Sequence, residues 1–160
     1  MKLILIAAMF LAAGQTYAQG DKSSLTPQAK WEAECGSCHI AYPARFLTPE
    51  TWQRLMDSLD RHFGDNASID SATQQEILQY LKRNASASAN RSAKSMRISD
   101  TSWFTHEHDE ISGKAWTDPA IKSRANCTAC HVNAVRGDWS ERGVRMPAGL
   151  RNEGDEDDDD

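Results

Sequence analysis

All four cysteines of this chain belong to one pattern written twice, Cys35-Gly36-Ser37-Cys38-His39 and Cys127-Thr128-Ala129-Cys130-His131. Any fold the chain adopts must accommodate two C-x-x-C-H clusters with no thiol to spare. A disulfide within C-x-x-C closes a very small loop and stabilises little, because the effect grows with loop length. Pairing between the copies leaves unexplained why a histidine follows each pair at once. A redox dithiol accounts for one pair of sulfurs but not for the histidine or the repetition. Zinc accepts both donor types, yet the halves of a zinc site are ordinarily much closer in sequence than Cys38 and Cys127.

Covalent haem attachment uses every feature. Two sulfurs one helical turn apart can each add to a vinyl group on one haem edge, and the next residue then brings an imidazole beneath the ring as an iron donor. The expectation is two covalently bound haem c groups, attached through Cys35, Cys38, Cys127 and Cys130, with His39 and His131 as the proximal metal ligands.

The start of the chain fits that chemistry. Met1-Lys2, the apolar run LILIAAMFLAAG and the small-residue site Thr16-Tyr17-Ala18 read as a secretory signal peptide over 1–18. The run is shorter than the ~20 apolar residues of a membrane span. No later stretch is apolar enough to cross, so no membrane span is expected once the signal is removed. Charge is uneven: the terminal stretch EGDEDDDD holds seven of the 23 acidic residues, and without it and Lys2 the chain carries 17 basic against 16 acidic residues. The negative charge is therefore a tail, 151–160, expected to be solvated and disordered. With no basic excess in the body, nucleic acid is not an expected partner.

Local signals place both motifs near helices. Thr26 caps and Pro27 begins a helix on which Trp31, Cys35 and Cys38 recur at helical spacing. The second copy offers the same plan, with Asp118 as cap, Pro119 as start and a helix from Ile121 to His131. A further helix is expected over TPETWQRLMDSLDRHFG, capped by Thr48, begun by Pro49 and stopped at Gly64, with an apolar stripe of Trp52, Leu55, Met56 and Leu59. His62 continues that stripe and is the candidate sixth ligand of the first iron. Met56 is its competitor, as a thioether donor on the same face.

The second iron is harder to complete. His106 and His108 are two apart, about 200° around a helix, so at most one of them faces a ring. Phe104, His108 and Ile111 form the more apolar face, which favours His108 weakly, and in extended chain both would project the same way.

The segments WEAECGSCHIAYP, RHFGDNASI, WFTHEHDEI and ANCTACHVNAVRGDW together resemble, in order and across nearly all of the chain after the leader, the small periplasmic dihaem cytochromes c of the DHC type. The resemblance implies two bis-histidine irons, His39 with His62 and His131 with His108, the latter chosen because the family ligand stands just before Asp-Glu-Ile. The acidic tail lies outside that pattern.

The fold expected is mainly α, with two small haem-centred domains. A first haem c domain (19–83), for which the family resemblance implies a fold like a class I cytochrome c, includes a helix over SATQQEILQYL. A Ser/Ala-rich linker (84–98) follows. A second haem c domain (99–150) has short helices plus irregular chain, with Gly113, Gly137, Gly143 and Pro147. Halves this small need a cofactor to complete a core. Trp31, Trp52, Trp103, Trp116 and Trp139 fit that picture as large planar groups packing against the rings, and ordinary core filling is preferred for them over an electron relay.

If both axial positions are protein nitrogens, only one-electron chemistry at iron remains. The expected function is a low-potential electron carrier of a periplasmic respiratory chain, not an enzyme. The resemblance implies a membrane cytochrome b or quinol-linked donor and a small haem protein or terminal reductase as acceptor. The alternative is a protein with one five-coordinate iron that binds or senses O2, NO or peroxide.

Overall fold

A computed structural model describes residues 24–148 and 150; the expected leader and the acidic tail lie outside the described residues. The chain is mainly helical, and among the described residues there is no strand, only isolated bridges between His62 and Asp65 and between His131 and Val144. Four α-helices appear among them: α1 (Pro27–Cys35), α2 (Pro49–Met56), α3 (Ser71–Asn84) and α4 (Ser102–Glu107), separated by short 3-10 turns.

Each helix begins on a side-chain cap that satisfies one of the free N–H groups of its first turn. Thr26 accepts from the Ala29 amide, Thr48 from Thr51, Asp70 from Thr73 and Thr101 from Phe104. Prolines at the start of α1 and α2 give up an N–H that had no partner there in any case. Trp52, Leu55 and Met56 on α2 meet Ile77 and Leu81 on α3 and Trp31 on α1, and Leu47 and Ala93 close the cluster. Full burial of a side chain such as Ile77 or Leu81 stabilises by about 1.5–3 kcal/mol. The buried ammonium of Lys30 on α1 reaches both carboxylate oxygens of Glu76 on α3 at 2.9 and 2.8 Å, so the charge is paired where it is desolvated.

Two expected helices take another course. After Met56 the Ser58 hydroxyl donates to the carbonyls of Arg54 and Leu55, a local side-chain bond that competes with helix continuation. A 3-10 turn over Leu59–Arg61 follows, so His62 stands beyond the helix and not on its stripe. Phe63 (φ 55°) and Gly64 (φ 114°) then reverse the chain, as the glycine permits. The second departure is larger: no helix forms from Ile121 to His131. Asp118 accepts from the Ala120 amide, Ser123 from the Ala125 amide, and the Asn126 amide group donates to the Ile121 carbonyl. Lys122 is left-handed at φ 68°, which no α-helix tolerates. Only a 3-10 turn over Cys127–Ala129 remains.

Residues 84–98 lie against both halves. Arg54 donates to the carbonyls of Ala93 and Lys94, Ala93 is buried in the cluster, and Arg91 bonds the Arg45 carbonyl while its guanidinium lies 3.4 Å from the centre of the Trp103 ring. Phe46 completes the junction, 5.1 Å from Trp103 and 4.8 Å from Trp139.

Candidate haem sites

At the first motif α1 delivers Cys35 on its last turn, and Gly36 caps it by donating to the Glu32 carbonyl. A Cβ at Gly36 would collide with that carbonyl oxygen, so the first of the two residues between the cysteines has to be glycine for the turn to close. The turn leaves Cys38 and His39 exposed. The His39 Nδ1–H donates to the Ile40 carbonyl at 2.7 Å. Because a carbonyl can only accept, this bond assigns the proton to Nδ1 and leaves the Nε2 lone pair for a metal. His62 faces His39 with ring centres 6.2 Å apart and planes 20° apart. Burial, then the neighbouring His39 and Arg97, hold the His62 imidazole below its ordinary range against the opposing effect of Asp65. It is therefore in the neutral form that coordinates.

The second site is more enclosed. A cavity of about 580 Å³ is lined by Cys127, Cys130, His131 and His108, with Phe104, Trp116 and Trp139 among its walls. His108 and His131 stand 6.1 Å apart with planes 66° apart. His108 caps α4, donates from Nδ1 to the Phe104 carbonyl at 2.9 Å, and stacks on the Phe104 ring at 4.1 Å. Trp116 packs 5.8 Å from His108 and Trp139 5.6 Å from His131. Burial, and then the neighbouring His108, hold His131 below the ordinary imidazole range.

These residues fit a haem on their own geometry. An imidazole nitrogen binds a metal at about 2 Å, so two end to end, plus the two ring radii, set the ring centres about 6 Å apart. Both histidine pairs meet that spacing. His131 also keeps a buried Nδ1 with no hydrogen-bond partner among the described residues, an arrangement proteins seldom leave without a ligand nearby. Among the described residues no three of His, Cys, Asp and Glu gather as a metal cage, as a Cys/His zinc site would require. The cysteines are unpaired with one another. Burial and the neighbouring Glu34 push the Cys35 thiol up to about 11; burial pushes Cys127 up to about 11 and raises Cys130. A redox C-x-x-C needs the opposite shift.

The competing donors are placed elsewhere. His106 is 81% exposed and lies 4.0 Å from Asp109. Met56, 2% exposed, lies in the core between the first three helices. Of the tryptophans, Trp31 and Trp52 belong to that core, whereas Trp116 and Trp139 flank the second histidine pair. Sequence reasoning passed over the cations at the second cavity. Arg91 covers Trp103, and Arg124 lies 5.2 Å from the ring centres of both Phe104 and Trp116. It also passed over Tyr42, stacked 4.8 Å from His39. Only its position three residues behind the motif could have pointed to it.

Residues 31–139 match the family model for dihaem cytochrome c. The chain is similar to the diheme cytochrome c sb-DHC of Shewanella baltica OS155, with 35% identity and a TM-score of 0.67 over 78% of this chain and 96% of that one. It is also similar to the DHC purified from Rhodobacter sphaeroides, with 40% identity and a TM-score of 0.60 over 68% of this chain and 94% of that one. Comparison with curated proteins found no match.

Proposed function

Since this chain belongs to the dihaem cytochrome c family and is a haem-based electron carrier with two haem c groups, we propose that it works at low potential in a periplasmic respiratory chain, with each iron held between two histidines. When bound, each haem supplies an iron that exchanges one electron between its ferric and ferrous forms. Cys35 and Cys38 would hold the first haem, and Cys127 and Cys130 the second. His39 with His62, and His131 with His108, would be the iron ligands. The observation that carries this reading is the matched spacing of the two imidazole pairs, 6.2 and 6.1 Å.

The chain's own groups then account for the chemistry. The carbonyls of Ile40 and Phe104 hold the protons of His39 and His108 on Nδ1 and orient their rings. Phe104, Trp116 and Trp139 pack around the second pair as apolar walls. With nitrogen on both faces no coordination position is left for a small molecule, which argues for a carrier over an enzyme. Two imidazoles also give a lower potential than a His/Met pair. The two halves are proposed to be haem-centred domains, the first similar to a class I cytochrome c. Among the described residues no helix is long and apolar enough to cross a membrane, in keeping with release into the periplasm after cleavage at the expected leader. The proposed donor is a membrane cytochrome b or quinol-linked protein, and the proposed acceptor a small haem protein or terminal reductase.

Low-temperature electron paramagnetic resonance of the oxidised protein tests the ligand sets. Near-parallel axial rings split the iron π-orbitals strongly and give a rhombic low-spin signal, whereas nearly perpendicular rings leave those orbitals close in energy and give a strongly anisotropic one. The ring angles of 20° and 66° therefore predict one signal of each kind. A high-spin signal from half of the iron would show a five-coordinate iron with an open sixth position and refute the carrier reading.

A further inference from the structure

The loop after the first motif runs Ile40-Ala41-Tyr42-Pro43, and the proline biases Tyr42 toward extended backbone, away from α1. One face of the Tyr42 ring stacks on His39, 4.8 Å between centres with planes 24° apart. Its hydroxyl crosses to the other half of the molecule and donates to the carbonyl of Ala125 at 2.5 Å, a contact between residues 83 apart in sequence. Ala125 stands two residues before Cys127.

We propose that Tyr42 is the bridge between the two haem sites, joining His39 of the first to the segment that carries Cys127 of the second and providing the route by which they exchange an electron. This inference rests on the reading of His39 as an axial ligand and of Cys127 as an attachment point. Electronic coupling falls steeply across empty gaps and more gently through bonds and close contacts. From the His39 imidazole the route has one ring stack, one phenol and one hydrogen bond before it enters the backbone that leads to Cys127. With both haems bound, the one electron given up by a ferrous iron at one site would reduce a ferric iron at the other. Tyr42 gains and loses neither electron nor proton. The other aromatic run across the junction, Phe46 to Trp139 to His131, reaches the second site but starts from Phe46, which stacks on neither His39 nor His62.

The test uses the full haem-loaded protein and two variants. Tyr42→Phe keeps the stack and removes the hydrogen bond; Tyr42→Leu removes both. Each is given less than one electron per molecule by pulse radiolysis, and redistribution between the haems is followed optically alongside the two midpoint potentials and the low-spin resonance signals. The expected result is a progressive loss of rate from wild type to Tyr42→Phe to Tyr42→Leu, with potentials and signals unchanged. A wild-type rate in Tyr42→Leu overturns the bridge. Should that variant fail to take up its haems, a wild-type rate in Tyr42→Phe overturns the hydrogen-bonded route just as well. A wild-type protein that passes no electron between its haems would instead refute the carrier reading on which the bridge stands.

Discussion

Replacing His108 and His106 by alanine, one at a time, separates two histidines that differ by only two positions. His108 stacks face to face on Phe104 at 4.1 Å, a kind of pair that contributes about 1 kcal/mol beyond its buried area. Its Nδ1–H···O bond to the Phe104 carbonyl contributes about another 1 kcal/mol. His108→Ala therefore removes about 2 kcal/mol from the chain alone, and a domain of this size melts about 4 °C lower per kcal/mol, or about 8 °C in all. In the loaded protein the lost axial donor adds to that figure. His106 is a solvated side chain 4.0 Å from Asp109, so His106→Ala shifts stability by no more than about 0.5 kcal/mol and the melting point by about 2 °C. Circular dichroism melts give the stability arm. Carbon monoxide added to the dithionite-reduced proteins gives the site arm: His108→Ala binds it at one of its two haems, whereas His106→Ala and wild type do not. The reverse pattern, or carbon monoxide binding in neither variant, would refute the assignment of His108 to the second iron.

Trp52→Phe leaves the Ala44 carbonyl without the indole N–H that reaches it at 2.7 Å in the core, and costs about 1–3 kcal/mol by urea denaturation while the resonance signals stay as in wild type; an unchanged midpoint would show that the bond contributes nothing. Acid destabilises the protein through His62 and His131. Both are held below 6.5 in the folded chain, so unfolded chains take up protons first, and stability is level above about 6.5 and falls as the pH drops below it. Melting temperatures measured between pH 8 and 5 that rise on acidification would contradict that sign.

The features that could be read from sequence are those whose causes are local. Thr26-Pro27 and Thr48-Pro49 start α1 and α2 as expected, because a cap and an N-terminal proline need nothing beyond the first turn. The stripe of Trp52, Leu55 and Met56 faces the core because burial follows helical spacing. Asp118-Pro119 carries the same signal and starts no helix. Beyond it, Asp118, Ser123 and Asn126 bond to nearby backbone and Lys122 turns left-handed, a competition that periodicity does not register. The same effect at Ser58 takes His62 off its expected helix yet still brings it opposite His39. His108 was favoured over His106 by its spacing from Phe104, and those two rings are stacked even though α4 ends one residue earlier. The Tyr42–Ala125 contact had no local cause and could not be read from either segment.

Among the described residues the apolar cluster lies in the first half, extended by Ala85, Ala93, Met96 and Ile98, whereas beyond residue 100 the buried apolar side chains are Phe104, Ala115, Ile121 and Ala134, spread around a cavity. Until pigment is attached there, the carboxy-terminal half has little to fold onto. A newly made chain that missed its second modification would stay open to proteases that the finished one resists. Maturation would thereby be proofread: doubly loaded molecules persist and half-made ones are cleared, without any dedicated inspector.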